Sequence, residues 1–255
     1  MKPVIKSKHQ IENIRKACRL ASRALDEVTF MIREGITTEE LDTFLHDFIV
    51  KNRATPAPLN YKGYPRSTCI SVNDVICHGI PSKDVVLKKG DILNIDVTVI
   101  LDGFYGDTSR MFCVGGIENL SPVAHKLIEV TEMAMYEGIR AIKDGAYVND
   151  IGIAIENYVR KTETNFQIVR EFTGHGTGLS FHEPPQVFHF NTGKTGVKLK
   201  AGMVITVEPM INAGHWKSKF DDDGWTARTI DGSLSAQWEH TVLVTSNGFE
   251  ILSVS

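Results

Sequence analysis

"NIDVTVILDGFYGDTS", residues 94–109, sets Asp102 and Gly103 between two apolar runs. An Asp-Gly pair so placed is the strongest short-range signal for a two-residue hairpin turn, because both central positions need a positive φ. With these two as the turn, cross-strand partners have numbers summing to 205, so Leu101 faces Phe104, Thr98 faces Asp107 and Asp96 faces Ser109. Leu93, Ile95, Val97, Val99 and Leu101 make one apolar face of the first strand, and Asn94, Asp96 and Thr98 point the other way. Asp96 and Asp107 become diagonal neighbours on that second face, roughly 7 Å apart at the backbone, with no basic residue opposite either. Like charges so placed repel unless a cation or a proton sits between them. Taken alone, the hairpin reads most simply as a half-exposed sheet with both aspartates in water.

A repeat changes that reading. "LKKGDILNID" (87–96) and "LKAGMVITVE" (199–208) align Leu with Leu, Lys with Lys, Gly with Gly and Asp96 with Glu208, at a constant offset of 112 residues. One supersecondary unit used twice predicts a second return strand carrying an acid equivalent to Asp107. "WEHTVLVT" (238–245) supplies Glu239 before a β-branched run, as Asp107 stands before "TSRMFCV". The repeat thus yields Asp96, Asp107, Glu208 and Glu239. Four acids without matched bases in a nearly neutral chain call for a partner, and a divalent metal pair bridged by carboxylates serves.

Nitrogen ligands are offered by "FTGHGTGLSFHEPPQVFHF", where glycines flank His175 and His182 follows seven residues later. Flanking glycines let backbone and imidazole approach a site closely. The zinc-binding helix motif does not apply, because Pro184 and Pro185 forbid the helix it requires. Alone, either histidine is as readily a structural or surface residue; beside four orphan carboxylates, His175 reads as a ligand.

Seven ordered motifs carry a resemblance: "CHGIP" around His78, "NIDV", "GDTSRMF", "GHGTG", "FHEPPQV", "VITVEPM" and "LSAQWEHTV". Together they resemble the type I methionine aminopeptidases, whose α+β pita-bread fold duplicates a helix pair and antiparallel sheet around a dinuclear metal site. The resemblance implies that Asp96, Asp107, His175, Glu208 and Glu239 hold two divalent ions (Co, Mn, Fe or Zn), with Asp107 and Glu239 bridging both. It implies excision of N-terminal methionine from peptides and nascent chains whose second residue is small, by a hydroxide bridging metals about 3.5–4 Å apart. Glu208 is then the group that takes and returns the water proton, while His78 and His182 hydrogen-bond the substrate amide and the oxyanion. The resemblance also places Tyr61, Tyr64, Cys69, Phe181 and Trp225 in the methionine pocket, beside His78 and His182. It places Asn73, Val75 and Ser235 at a monovalent-cation site for Na or K. A thioether pocket calls for apolar and aromatic walls with at most a soft sulfur neighbour.

The rest of the chain agrees with this scaffold. At 255 residues and 42% hydrophobic content it can bury a large core, as one catalytic domain over 1–255 with internal halves of roughly 1–118 and 119–255. A net charge of -3 points to neither nucleic acid nor membrane. Cys18, Cys69, Cys77 and Cys113 form no Cys-x-x-Cys pair, and no signal-like segment follows Met1, so reduced thiols and a cytoplasmic monomer are expected. No run approaches the ~20 apolar residues of a membrane helix.

Ser7 with Gln10, and Thr37 with Glu40, read as capping boxes opening two helices. Ser121 and Pro122 start a third, with Gly145 as its stop, and a fourth lies near 149–161. "GGIENLS" (115–121) reads as the connection between halves, and "FDDDGW" (220–225) as a solvated acidic turn.

Leu179 and Ser180 stand where the family often has an arginine and a glycine, which puts contacts to the peptide beyond its first residue in doubt. The chain shows no zinc-binding extension and no room for the type II insertion, so a minimal bacterial-type enzyme is expected, with docking on ribosomes open. Two alternatives stand beside it: an X-Pro aminopeptidase or prolidase of the same fold, and a non-catalytic pita-bread binding module.

Overall fold

The computed structural model describes residues 3–255. In chain order its helices are α1 (Lys8–Val28), α2 (Thr38–Lys51), α3 (Pro122–Arg140) and α4 (Val148–Lys161). Its strands are β1 (Thr55–Pro56), β2 (Cys69–Val72), β3 (Val75–Cys77), β4 (Ile92–Leu101), β5 (Phe104–Cys113), β6 (Gln167–Ile168), β7 (Gly174–Gly176), β8 (Glu183–Val187), β9 (Val204–Val207), β10 (Met210–Asn212), β11 (Ser218–Phe220), β12 (Ala227–Thr229), β13 (Ser235–Gln237), β14 (Glu239–Thr245) and β15 (Gly248–Ile251).

Both capping boxes form, with Ser7 and Thr37 as N-caps and Gln10 and Glu40 reaching back to the cap N–H groups. The β4–β5 hairpin has the expected register, from Ile92 opposite Cys113 to Leu101 opposite Phe104. Asp102 and Gly103 both take the positive φ that the turn demands, 51° and 81°.

The repeat is visible bond by bond. Gly35 N–H donates to Leu87 O at 2.8 Å, and Gly145 N–H donates to Leu199 O at 3.0 Å. Leu87 returns a bond to Ile36 O, and Leu199 to Ala146 O. Gly90 and Gly202, the shared glycines of the repeat, hold φ values of 88° and 92° and donate to Val114 O and Val244 O. Gly145 therefore belongs to this turn and not to the end of a helix: α3 stops at Arg140, and the chain turns so that Ile142 and Ala146 enter the core.

The central sheet runs β1-β4-β5-β14-β9-β7-β8, with β2 also on β4 and β15 on β14. The halves meet where β14 pairs with β5, Glu239 opposite Ser109 and His240 opposite Thr108. One apolar layer joins α1 and α2 to β4 and β5 through Ala17, Leu25, Leu41, Ile95 and Val97; the other joins α3 and α4 to β9 and β14 through Leu127, Ile151, Ile205 and Val242. At Gly106 the backbone of α1 lies so close to β5 that no side chain fits between them.

The half-exposed hairpin does not hold. Asn94, Thr98 and Asp107 are all buried, because β4 and β5 sit inside the large sheet with helices on one side and the other half's strands against the other. None of the helices among the described residues is long and apolar enough to cross a membrane.

Candidate metal centre and substrate cavity

Five of the residues singled out in the sequence come from five neighbouring strands, in spatial order across one sheet. Asp96 lies on β4, Asp107 on β5, Glu239 opens β14, Glu208 follows β9 directly, and His175 is the middle residue of β7. Asp96, Asp107 and Glu239 each offer an oxygen within 4.8 Å of the others. His175 Nε2 stands 3.7 Å from Asp107 Oδ2 and 3.6 Å from Glu208 Oε1, which joins all five into one cluster.

Three of the five ligand candidates, Asp107, Glu208 and His175, are held from behind. Thr98 donates to Asp107 Oδ1 and Thr206 to Glu208 Oε1, both at 2.6 Å, while Gln237 Nε2 donates to Glu208 Oε2 at 3.4 Å. His175 Nδ1 lies 3.0 Å from the Gly176 carbonyl, so Nδ1 carries the proton and Nε2 presents its lone pair to the carboxylates. His189 accepts the Glu208 N–H on Nε2 at 3.1 Å. Sequence reasoning passed over these supports. Thr206 and Thr98 carried a signal, since residues two apart on a strand share a face with the acids. Buried His189, between two phenylalanines, carried none.

Among the described residues no lysine or arginine pairs with the four acids, and the basic side chain that reaches them is the His175 imidazole. Burial and mutual repulsion therefore raise Asp96, Glu208 and Glu239 well above the ordinary carboxylate range. Burial lifts Asp107 to about 7, against the pull of the Thr98 hydroxyl and the Thr108 N–H. Burial likewise pushes His175 down to about 4. Carboxylates kept from water without counter-charge, beside a neutral imidazole, form the donor set that suits divalent ions with mixed oxygen and nitrogen preference.

A cavity of about 310 Å³ opens above the cluster. Tyr61, Tyr64, Cys69, His78, Phe181, His182 and Trp225 all line it, together with Phe172 and Met210, which the sequence did not single out. His182 stacks on Phe181 with ring centroids 4.4 Å apart, and its Nδ1 lies 3.0 Å from the Tyr61 hydroxyl. Desolvation, with His175 next to it, pushes His182 down to about 3. His78 holds a left-handed φ of 56° and stands edge-on to Phe172 and Trp225. Its strained backbone turns the ring into the cavity, where burial lowers its pKa. The acidic turn is more than solvated: Asp223 Oδ1 accepts the N–H groups of Trp225 and Thr226, both at 2.8 Å, and so presents Trp225.

Asn73, Val75 and Ser235 come together away from the cavity. Ser235 N–H donates to Asn73 O at 2.8 Å, and Asn212 is the cross-strand partner of Ser235. The Asn73 side chain is committed to Asp91 and the Ile92 N–H, whereas Ser235 Oγ and Asn212 Oδ1 are buried without a partner.

The profile of metallopeptidase family M24 matches residues 12–246. The chain belongs to metallopeptidase family M24. It is similar to the methionine aminopeptidase of Haemophilus influenzae, 47% identical over 251 residues that span 98% of this chain and 92% of the relative. It is also similar to that of Rickettsia prowazekii, 51% identical over 243 residues, 95% of this chain and 92% of the relative. The crystal structure of the methionine aminopeptidase from Rickettsia prowazekii matches with a TM-score of 0.95 and 48% identity, covering 99% of this chain and 100% of the other. The prolidase from Pyrococcus furiosus shares the fold alone, with a TM-score of 0.77 at 24% identity and 66% of its length covered. The resemblance carried by the seven motifs therefore extends over nearly the whole chain, on the pita-bread architecture the motifs implied.

Proposed function

We propose that this chain is a metallo-aminopeptidase that releases methionine from the N-terminus of peptides and nascent chains whose second residue is small. One observation carries the reading: five ligand candidates on five adjacent strands face one aromatic cavity closed by the soft sulfur of Met210 and the thiol of Cys69. Asp96, Asp107, His175, Glu208 and Glu239 would hold two divalent ions, with Asp107 and Glu239 on the two strands that join the halves. Bound there, such ions lower the pKa of a water and polarise a carbonyl.

The chain's own groups do the rest. The acidic cluster attracts the free N-terminal ammonium of a peptide, which restricts cleavage to the first residue. Tyr64, Phe181 and Trp225 enclose a long unbranched apolar side chain. Glu208, fixed by Thr206 and Gln237 at the edge of the cluster, takes a proton on its carboxylate and returns it to the leaving amine. The Tyr61 hydroxyl lies 3.0 Å from His182 Nδ1, and with the hydroxyl as donor the neutral ring would carry its proton on Nε2 and donate a hydrogen bond from there to the substrate carbonyl as negative charge develops. His78 serves the substrate amide from the opposite wall. The unpartnered oxygens of Ser235 and Asn212, with the backbone carbonyls of Asn73 and Val75, suit a monovalent cation.

The test is methionine release by metal-stripped protein with each divalent ion added back, on Met-Gly-type, Met-Leu-type and X-Pro peptides. Metal-dependent release from the Met-Gly-type peptide alone is expected. Cleavage of the X-Pro peptide, or silence on all three with metal bound, overturns the proposal.

A further inference from the structure

Glu183 is a buried acid that the metal cluster does not use. It follows His182 directly, and its two carboxylate oxygens are taken up by the N-terminal segment and by its own loop. Oε2 accepts from Lys6 Nζ at 2.6 Å, with side-chain exposures of only 1% and 5% for Lys6 and Glu183. Oε1 accepts two backbone N–H groups, from Leu179 at 2.7 Å and Ser180 at 3.0 Å. Lys6 is itself anchored, its N–H donating to Gly202 O at 2.8 Å. The lysine stem runs past Gly178, where a Cβ would stand 3.6 Å from Lys6 Cε and 2.4 Å from the Ile14 side chain.

A buried ion pair is a poor source of stability, because desolvation offsets the attraction. This one does something more specific. Its acid closes the loop 177–182 onto itself through the two residues, Leu179 and Ser180, at which the sequence departs from the family pattern. Their backbone N–H groups make the contact, so the side-chain difference leaves it intact. The same loop carries Phe181 and His182 into the cavity, and Thr177 Oγ1 ties it again at Phe181 O, 3.0 Å away.

We propose that Glu183 is a positioning residue for His182: its carboxylate, neutralised by Lys6, fixes the loop 177–182 through the Leu179 and Ser180 N–H groups. This rests on the aminopeptidase reading above for the role of His182, and on geometry alone for its placement.

Three proteins test it: the wild type, Glu183→Ala, and the double variant Lys6→Met with Glu183→Gln. In the double variant an amide oxygen still accepts from Leu179 and Ser180, and no buried charge is stranded. In Glu183→Ala, kcat for a Met-Gly-type peptide is expected to fall on the order of 100-fold, with KM and metal stoichiometry held, since a displacement near 1 Å has that effect on a positioned group. The imidazole nitrogen signals of His182, assigned by their loss in His182→Ala, are expected to shift in the substrate-free, metal-free protein. The double variant is expected to return both readouts toward wild type. A folded Glu183→Ala protein with wild-type kcat and wild-type His182 signals overturns the proposal. If Glu183→Ala does not fold, Lys6→Met with Glu183→Leu, which strands no charge and offers no acceptor, decides: displaced His182 signals support the role, and signals at wild-type positions overturn it. Failure of the wild type to release methionine would refute the aminopeptidase reading instead, and the substrate-free signals would still report on the placement.

Discussion

Gly106→Ala is the smallest substitution that tests how the metal centre is supported. A Cβ at Gly106 would lie 2.2 Å from the carbonyl carbon of Ala17 and 2.2 Å from the amide nitrogen of Cys18, both backbone atoms of α1. Restoring the 3.4 Å of ordinary contact demands about 1.2 Å of relative movement between helix and strand. Neither side can answer with a rotamer change. β5 is bonded along its length to β4 and at its middle to β14, and the Asp107 carbonyl also accepts from Thr241 Oγ1 at 2.7 Å. α1 is held by apolar packing, so the helix yields first. Overpacking of this kind costs about 3 kcal/mol, roughly 6–12 °C in Tm for a chain of this size. Because the strand holds, the variant is expected to keep two metal sites with affinities within about tenfold of wild type. Thermal unfolding and metal titration of the same preparations measure both. A Tm within measurement error of wild type would refute the close approach of α1, and a lowered Tm with lost metal would show that the strand yields instead of the helix.

Other perturbations follow from the same geometry. Asp107→Asn keeps an oxygen for Thr98 but removes a buried carboxylate, so metal-dependent turnover should fall by at least about 100-fold while the metal-free Tm holds or rises; retained turnover removes Asp107 from the ligand set. Glu239→Gln should behave alike. In the metal-free protein the acids have folded pKa values above their unfolded ones, so their penalty is absent below the unfolded carboxylate pKa and grows as pH rises, through about 7 for Asp107. His175 and His182 have folded values of about 4 and about 3, so their contribution is complete above their ordinary 6.5 and is lost as pH falls. Metal-free stability should therefore decline from about pH 7.5 to about 8.5, where the histidine contribution is complete and the acids, joined by the buried thiols, still lose stability, and divalent metal should reduce the decline; a rising metal-free Tm in that window contradicts the shifts. Potassium or sodium chloride should raise Tm above choline chloride at equal ionic strength, less so in Asn212→Ala, and identical curves for all salts would leave the Ser235 and Asn212 oxygens without a cation.

What the sequence revealed was local or repeated. The hairpin register followed from one Asp-Gly pair, the first two helix starts from their capping boxes, and the equivalence of Asp96 and Glu208 from a constant offset. Each signal needs only a few neighbouring residues. The unread features depend on residues meeting from far apart. Lys6 and Glu183 are 177 positions apart, and nothing near either announces the other. Both faces of the β4–β5 hairpin are covered because helices pack on one and β13 meets the other, where Asn94 Nδ2 donates to Gln237 O, which the alternation in residues 94–109 could not show. The end of α3 was misplaced because Gly145 has the positive φ of a helix stop but spends it on the repeated turn to Leu199.

Duplication also accounts for the proposed pair of ion places and for a difference between them. β4 and β5 are related to β9 and β14 about the junction at Ser109 and Glu239, so the repeat delivers one inner and one outer acid from each side. Four acids so arranged would make two equivalent places. The symmetry breaks one strand further out. β7 brings His175 against Thr206, while β2, its counterpart on β4, brings Ser71 against Asn94. The imidazole would therefore help hold an ion beside Asp107 and Glu208, and a second ion would rest on Asp96, Asp107 and Glu239. Titration of the metal-free protein with manganese should accordingly show two unequal steps. His175→Ala should weaken the tighter step by at least about tenfold and leave the weaker one nearly in place, because the three carboxylates that form it are untouched. Two equal steps in the wild type, or equal loss from both in the variant, would mean that the imidazole is not confined to one place.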